Sequence, residues 1–77
     1  MENIRLCDVP IGGRAVITTL LNNGSIRRRL LDIGLTPGTI VENIMVNPGS
    51  NLIAYMVRGA LIAIRDDDAK EILVREL

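Results

Sequence analysis

The rhythm of hydrophobic positions changes several times along the chain, and each change predicts an element. Ile4, Leu6 and Val9 form a short apolar segment that Pro10, Gly12 and Gly13 separate from the first long strand. Residues 15–21, AVITTLL, are rich in β-branched side chains and predict that strand. Asn22, Asn23 and Gly24 break it, as small polar residues and glycine do. Over residues 26–33 the spacing widens to about 3.6, which places Ile26, Leu30 and Ile33 on the inner face of a helix. Ser25 is placed to cap its first N–H groups. At the other end Gly34 supplies a left-handed residue, Leu35 packs back over the last turn, and Pro37 forbids continuation. So short a helix does not hold itself in water, so packing of its apolar face must fix it.

The alternation then returns. Residues 39–46 predict a second strand with Ile40, Val41, Ile44 and Val46 as its apolar content, and residues 47–50, Asn-Pro-Gly-Ser, predict a turn. Residues 52–57 and 60–65 predict two more strands joined by Arg58-Gly59, a two-residue hairpin loop in which Gly59 takes positive φ. Residues 66–70 read as one helical turn and residues 72–74 as a closing strand. The class this predicts is mainly β: a small, partly closed barrel of five short strands, with one inserted helix on its side and a helical turn before the last strand. At 77 residues it is expected to be a single domain, 1–77.

Composition narrows what such a barrel does. Nine basic and nine acidic side chains cancel, which removes the electrostatic case for generic nucleic-acid or membrane-surface binding. The chain has no histidine, which removes the commonest general base and the commonest metal ligand together. Its one cysteine, Cys7, excludes an internal disulfide and any cysteine-rich metal site, and reads as a small buried hydrophobe. Ser25, Ser50 and the threonines have no histidine to activate them, and Gly12-Gly13 lacks the spacing of a phosphate-cradling loop. Tyr55, the only aromatic residue, cannot form a stacking platform for single strands. Met45 and Met56 read as strand core. A non-enzyme with no cofactor is expected. Because the first residues carry charge and the longest clearly apolar stretch is six residues, 52–57, the expected location is cytoplasmic, without membrane insertion.

Two charge runs remain. Arg27, Arg28 and Arg29 fall in the first turn of the predicted helix, where the dipole is already positive, and Asp32 falls near its negative end. Each such placement costs about 0.3–1 kcal/mol, and an Arg28–Asp32 pair at i, i+4 has the less favourable orientation. With Arg28 and Asp32 outward and Leu31 between the two faces, the helix offers an apolar centre ringed by charge, the pattern of a small protein-binding patch. Arg27, Arg28, Leu31 and Asp32 are therefore the candidate partner-binding residues; a merely solvated face is the plainer alternative, and anion binding the weakest. Gly34, Pro37, Gly38 and Gly59 set the turns that hold the helix. Asp66, Asp67 and Asp68 lack the alternating ligands and distant glutamate of a calcium loop. They read as a cap, Asp66, followed by two acids favouring the dipole.

The segment RRRLLDIGLTPGTIVE, residues 27–42, resembles the signature of the ferrous iron transport protein A (FeoA) family. In that family an arginine-rich helix ends in a Leu-x-x-x-Gly-Leu/Met pattern and leads through Pro-Gly-Thr into a strand. The likeness extends to PIGGRAVI at residues 10–17, VRG at 57–59, IAIR at 62–65, Asp68-Ala69 and ILV at 72–74, in the same order. The resemblance implies an SH3-like barrel and an accessory role in bacterial ferrous iron uptake. The implied partner is the cytoplasmic GTP-binding part of a FeoB-type membrane transporter. The family's link to transition metals comes by association only, since these residues present no ligand set for iron. The same fold occurs as a module of iron- or manganese-dependent repressors, so a metal-responsive regulatory module stays open as an alternative. A small nucleic-acid-binding barrel is a weaker rival, and unpaired strand edges leave a weak homodimer open.

Overall fold

Period-two burial shapes the sheet. The structure, a computed structural model, describes residues 3–47 and 49–77, so Pro48 of the expected 47–50 turn lies outside the described residues. Strand β2 (Arg14–Leu20) buries Ala15 and Ile17 and, beyond a bulge between Ile17 and Thr19, Leu20. β3 (Ile40–Val46) pairs with it through Ala15↔Val41, and β4 (Leu52–Val57) pairs with β3 through Val41↔Val57 and Asn43↔Tyr55. β5 (Ala60–Arg65) forms a hairpin with β4, and β6 (Ile72–Glu76) returns to the other side of β2. A two-residue strand, β1 (Ile4–Arg5), adds to β6, so the sheet has six strands rather than five. The order is β1-β6-β2-β3-β4-β5, all antiparallel. The two outermost strands, β1 and β5, are not paired with each other, so the barrel stays open.

One core fills the sheet's concave side, with Tyr55, Leu6, Ile17, Leu35 and Ile72 fully buried. The Tyr55 hydroxyl donates to the Leu6 carbonyl at 3.3 Å, which satisfies the one polar atom that the ring carries inward. Asn43 is buried too: its amide group donates to the Val9 carbonyl at 2.8 Å, and its backbone exchanges bonds with Gly12 and Gly13. Asn43 thereby ties the N-terminal turn to β3.

Three core expectations change. Met45 is 53 % exposed, because a bulge between Asn43 and Met45 shifts the alternation by one and turns it to the outer face opposite Ala54. Met56, on that same outer face, is half-buried. Cys7 is half-buried rather than sealed, since it lies in a one-turn 3-10 helix (Leu6–Asp8) at the rim of the core. Burial, then the carboxylates of Asp8 and Asp66, push its thiol above the ordinary value.

Two helices interrupt the sheet. α1 (Gly24–Asp32) connects β2 to β3, and α2 (Asp66–Ala69) connects β5 to β6. Asp66 is the first residue of α2, not its cap; the N-cap is Arg65, and no side chain bonds the end. The three acids still lie in the first turn, where the helix dipole favours them. Lys70 closes the turn, with Nζ 3.3 Å from Asp66 and 3.7 Å from Asp67. Its ammonium is held above the ordinary value, first by the hydrogen bond it donates to Asp66.

Candidate functional site

α1 begins where β2 runs out of partners. The Leu21 N–H donates to the Glu71 carbonyl at 2.7 Å, and the buried Asn22 side chain donates to the Asp68 carbonyl at 3.1 Å. These bonds pin the approach to α1 against α2. The N-cap is Asn23, in extended conformation and without a side-chain bond to the helix end. Ser25 lies inside the helix and caps nothing, because the helix starts at Gly24 (φ +61°), two residues earlier than expected.

That earlier start changes the charge pattern. In α1 Arg27 and Arg28 fall in the middle, and Arg29 falls in the last turn, where a cation suits the dipole. Only Asp32, the last residue, stands against it. The Arg28–Asp32 pair does not form; among the described residues the ion pairs are those of Lys70 with Asp66 and Asp67. Arg27 Nη1 instead donates to the Leu20 carbonyl at 2.7 Å, which satisfies an acceptor at the end of β2.

The predicted inner face is also only partly inner. Leu30 is the one buried residue of α1, whereas Ile26 is 46 % and Ile33 38 % exposed. Both isoleucines line a cleft of about 270 Å³ between α1 and β5, which is too open to seal them. Leu31 is half-buried and packs against the core from the other side. The helix is therefore pinned by Leu30 and steadied by Leu31. Its four singled-out residues, Arg27, Arg28, Leu31 and Asp32, line one surface depression of about 330 Å³ together with Gly24.

The end of α1 matches the expected stop signal closely. Gly34 at φ +106° donates its N–H to the Leu31 carbonyl at 3.1 Å, and Leu35 donates to the Leu30 carbonyl at 3.0 Å. These two bonds form a Schellman motif, with the fully buried Leu35 as its apolar contact. Beyond Pro37, Gly38 at φ +93° donates to the Ile17 carbonyl at 2.7 Å and leads the chain into β3. Sequence reasoning missed what locks this corner. Arg58, at φ +50°, donates from Nη2 to Thr36 Oγ1 at 3.3 Å and Thr39 Oγ1 at 3.2 Å, and those two hydroxyls lie 2.9 Å apart. The signal was present in the two-residue loop Arg58-Gly59. A type I′ hairpin turn needs positive φ at both central residues, not at Gly59 (φ +82°) alone.

Among the described residues no three His, Cys, Asp or Glu side chains converge on a common point, and Asp66, Asp67 and Asp68 make no such cluster. Among the same residues no helix is long and apolar enough to cross a membrane.

Comparisons with known proteins bear on the family and the fold. The model of the FeoA domain matches residues 4–76. The solution structure of the FeoA protein from Chlorobium tepidum is 30 % identical, with a TM-score of 0.90 over 96 % of this chain and 70 % of that one. The FeoA of Stenotrophomonas maltophilia, crystallised with zinc and described as a prokaryotic SH3 domain protein, is 26 % identical, with a TM-score of 0.81 over 92 % of this chain and 88 % of that one. A manganese-dependent transcriptional repressor in complex with manganese superposes with a TM-score of 0.91 over this whole chain and 38 % of its own. At 15 % identity that likeness concerns the fold alone. No curated protein matches. The mainly β architecture is thus SH3-like, and the chain belongs to the FeoA domain family, which is associated with ferrous iron transport.

Proposed function

We propose that this protein is a non-enzymatic cytoplasmic accessory of ferrous iron uptake. It docks on the cytoplasmic GTP-binding part of a FeoB-type transporter and modulates it. The family supplies the system; the Stenotrophomonas relative has itself been put forward as a ferrous iron transport activating factor. The observation that supports docking through α1 is the convergence of Arg27, Arg28, Leu31 and Asp32 on one depression. No carboxylate among the described residues pairs with the Arg28 guanidinium there. Arginine is among the residues that carry most binding energy in interfaces, and Leu31 supplies apolar surface beside it.

Calorimetric titration against the isolated GTP-binding part of the transporter tests this. Arg28→Glu combined with Leu31→Ala is expected to weaken binding at least tenfold, about 1.4 kcal/mol, with the β-sheet circular dichroism unchanged. Unchanged affinity in the folded variant overturns the assignment.

A second reading, a metal-responsive regulatory module, draws on the likeness of fold to the manganese-dependent repressor. Anaerobic calorimetry with Fe(II) and Mn(II) separates the two. A dissociation constant below about 10 μM, near −7 kcal/mol, favours the sensor.

A further inference from the structure

The cleft on the other flank of α1 adjoins an unpaired strand edge. β5 is the last strand of the sheet and pairs only with β4. In this hairpin Val57↔Ala60 closes the two-residue turn, and the Asp66 N–H donates to the Asn51 carbonyl at 2.6 Å six residues further on. Both fix the same phase. Ala60, Ile62 and Ile64 direct their backbone bonds to β4, while the N–H groups of Leu61, Ala63 and Arg65 and the carbonyls of Leu61 and Ala63 point away from the sheet. Such an edge is a template for another strand, and natural sheets usually cover or charge it. Here it faces α1, whose residues Ile26, Arg29 and Leu30, with Ile33 just past its end, line the cleft opposite β5.

We infer that this cleft binds an extended segment of another protein as a seventh, antiparallel strand on β5. Side chains of the added strand alternate in direction. Those opposite Ile62 and Ile64 enter the cleft, where they cover the exposed parts of Ile26 and Ile33; the rest lie beside Leu61 and Ala63 on the outer face. The volume, about 270 Å³, suits two or three side chains better than a cofactor. Charge selects the segment: Arg29 and Arg65 line the cleft against one carboxylate, Asp68, so an acidic residue within an alternating aliphatic stretch is complementary. Backbone bonds give the affinity and the spaced aliphatic residues the register, the general mode of strand addition. This surface is separate from the Arg28–Leu31 depression, so it stands whether or not the transporter docks there.

The probe is a blocked seven-residue peptide of alternating valine and threonine with a glutamate at each end, titrated into the full chain and followed by amide hydrogen exchange. Binding is expected to protect the amides of Leu61, Ala63 and Arg65, which exchange freely in the unbound protein. Replacing the glutamates by lysine should weaken binding about two- to fivefold. A peptide N-methylated at the amides that face β5 should lose it, a control that leaves the protein's folding untouched. Ala63→Pro removes one outward N–H without touching a bond to β4, and should weaken binding about tenfold. The inference is overturned if the peptide does not bind or protects only residues around Arg28 and Leu31. It is equally overturned if the three amides are already protected in the free protein and lose protection on dilution, since the edge then pairs with a second copy of the chain.

Discussion

The two helices of this small barrel are built on opposite terms. α2, four residues long, places three acids in its first turn, closes with Lys70 on two of them, and buries Ala69 completely. α1 is more than twice as long, yet has no acid in its first turn and carries Asp32 at its negative end. It buries only Leu30 and leaves two isoleucines facing an open cleft. The charges of α2 agree with its place in the fold, as expected of an element whose task is to turn the chain. α1 departs from such agreement on both flanks, and departures of this kind concentrate where a protein meets something else.

That contrast can be broken most sharply at Leu30. Leu30→Ala removes the anchor of α1 and is expected to cost about 2–5 kcal/mol in urea unfolding, a large share of what so short a chain has. A loss below about 1 kcal/mol would mean that α1 is held by something other than Leu30.

A smaller effect is expected on the α2 side of the core. Burial, with Cys7, Asp66 and Asp8 adding in turn, pushes the Tyr55 phenol well above its ordinary value. The unfolded chain therefore releases this proton first, near pH 10, and the stability it contributes is complete below that pH and declines as pH rises above it. Tyr55→Phe should cost about 0.5–1.5 kcal/mol at pH 7 through the lost bond to Leu6, and should flatten the decline above pH 10. An alkaline melting curve unchanged by the substitution would assign the decline elsewhere.

The smallest test reads the sign. Asp32→Asn is expected to raise stability by about 0.3–1 kcal/mol, and Asp67→Asn to lower it by a similar amount, because the same charge sits at opposite ends of the two helix dipoles. Shifts of melting temperature in the same direction would remove the electrostatic half of the comparison.

Most of the sheet was legible because its signals are local. β4 and β5 fall on the residues that the alternation and the Arg58-Gly59 loop mark out, and Gly34 and Leu35 end α1 by the expected pair of bonds. What escaped depends on partners distant in the chain. The bulge at Asn43 that turns Met45 outward is set by pairing with β4, and the exposure of Ile26 and Ile33 is set by how far β5 stands from α1. The candidate site was half legible for the same reason. Helical spacing brings Arg28, Leu31 and Asp32 together, but the bond that draws Arg27 back to Leu20 needs the end of β2 in place. The arginines' place on the dipole was misjudged because α1 starts at Gly24, ahead of the expected cap, which moves all three toward its C-terminal half.

The Arg58 clasp on Thr36 and Thr39 bears on the order in which this chain becomes ordered. The two hydroxyls come just after α1 in sequence, but the guanidinium that holds them arrives some twenty residues later, on the tip of a hairpin. During synthesis the lower end of α1 therefore waits, unlatched, until β4 and β5 have left the ribosome and zipped together. A nascent chain halted before Arg58 would carry the whole arginine-bearing segment without this clasp, tied to β2 by the bonds that Arg27 and Gly38 make.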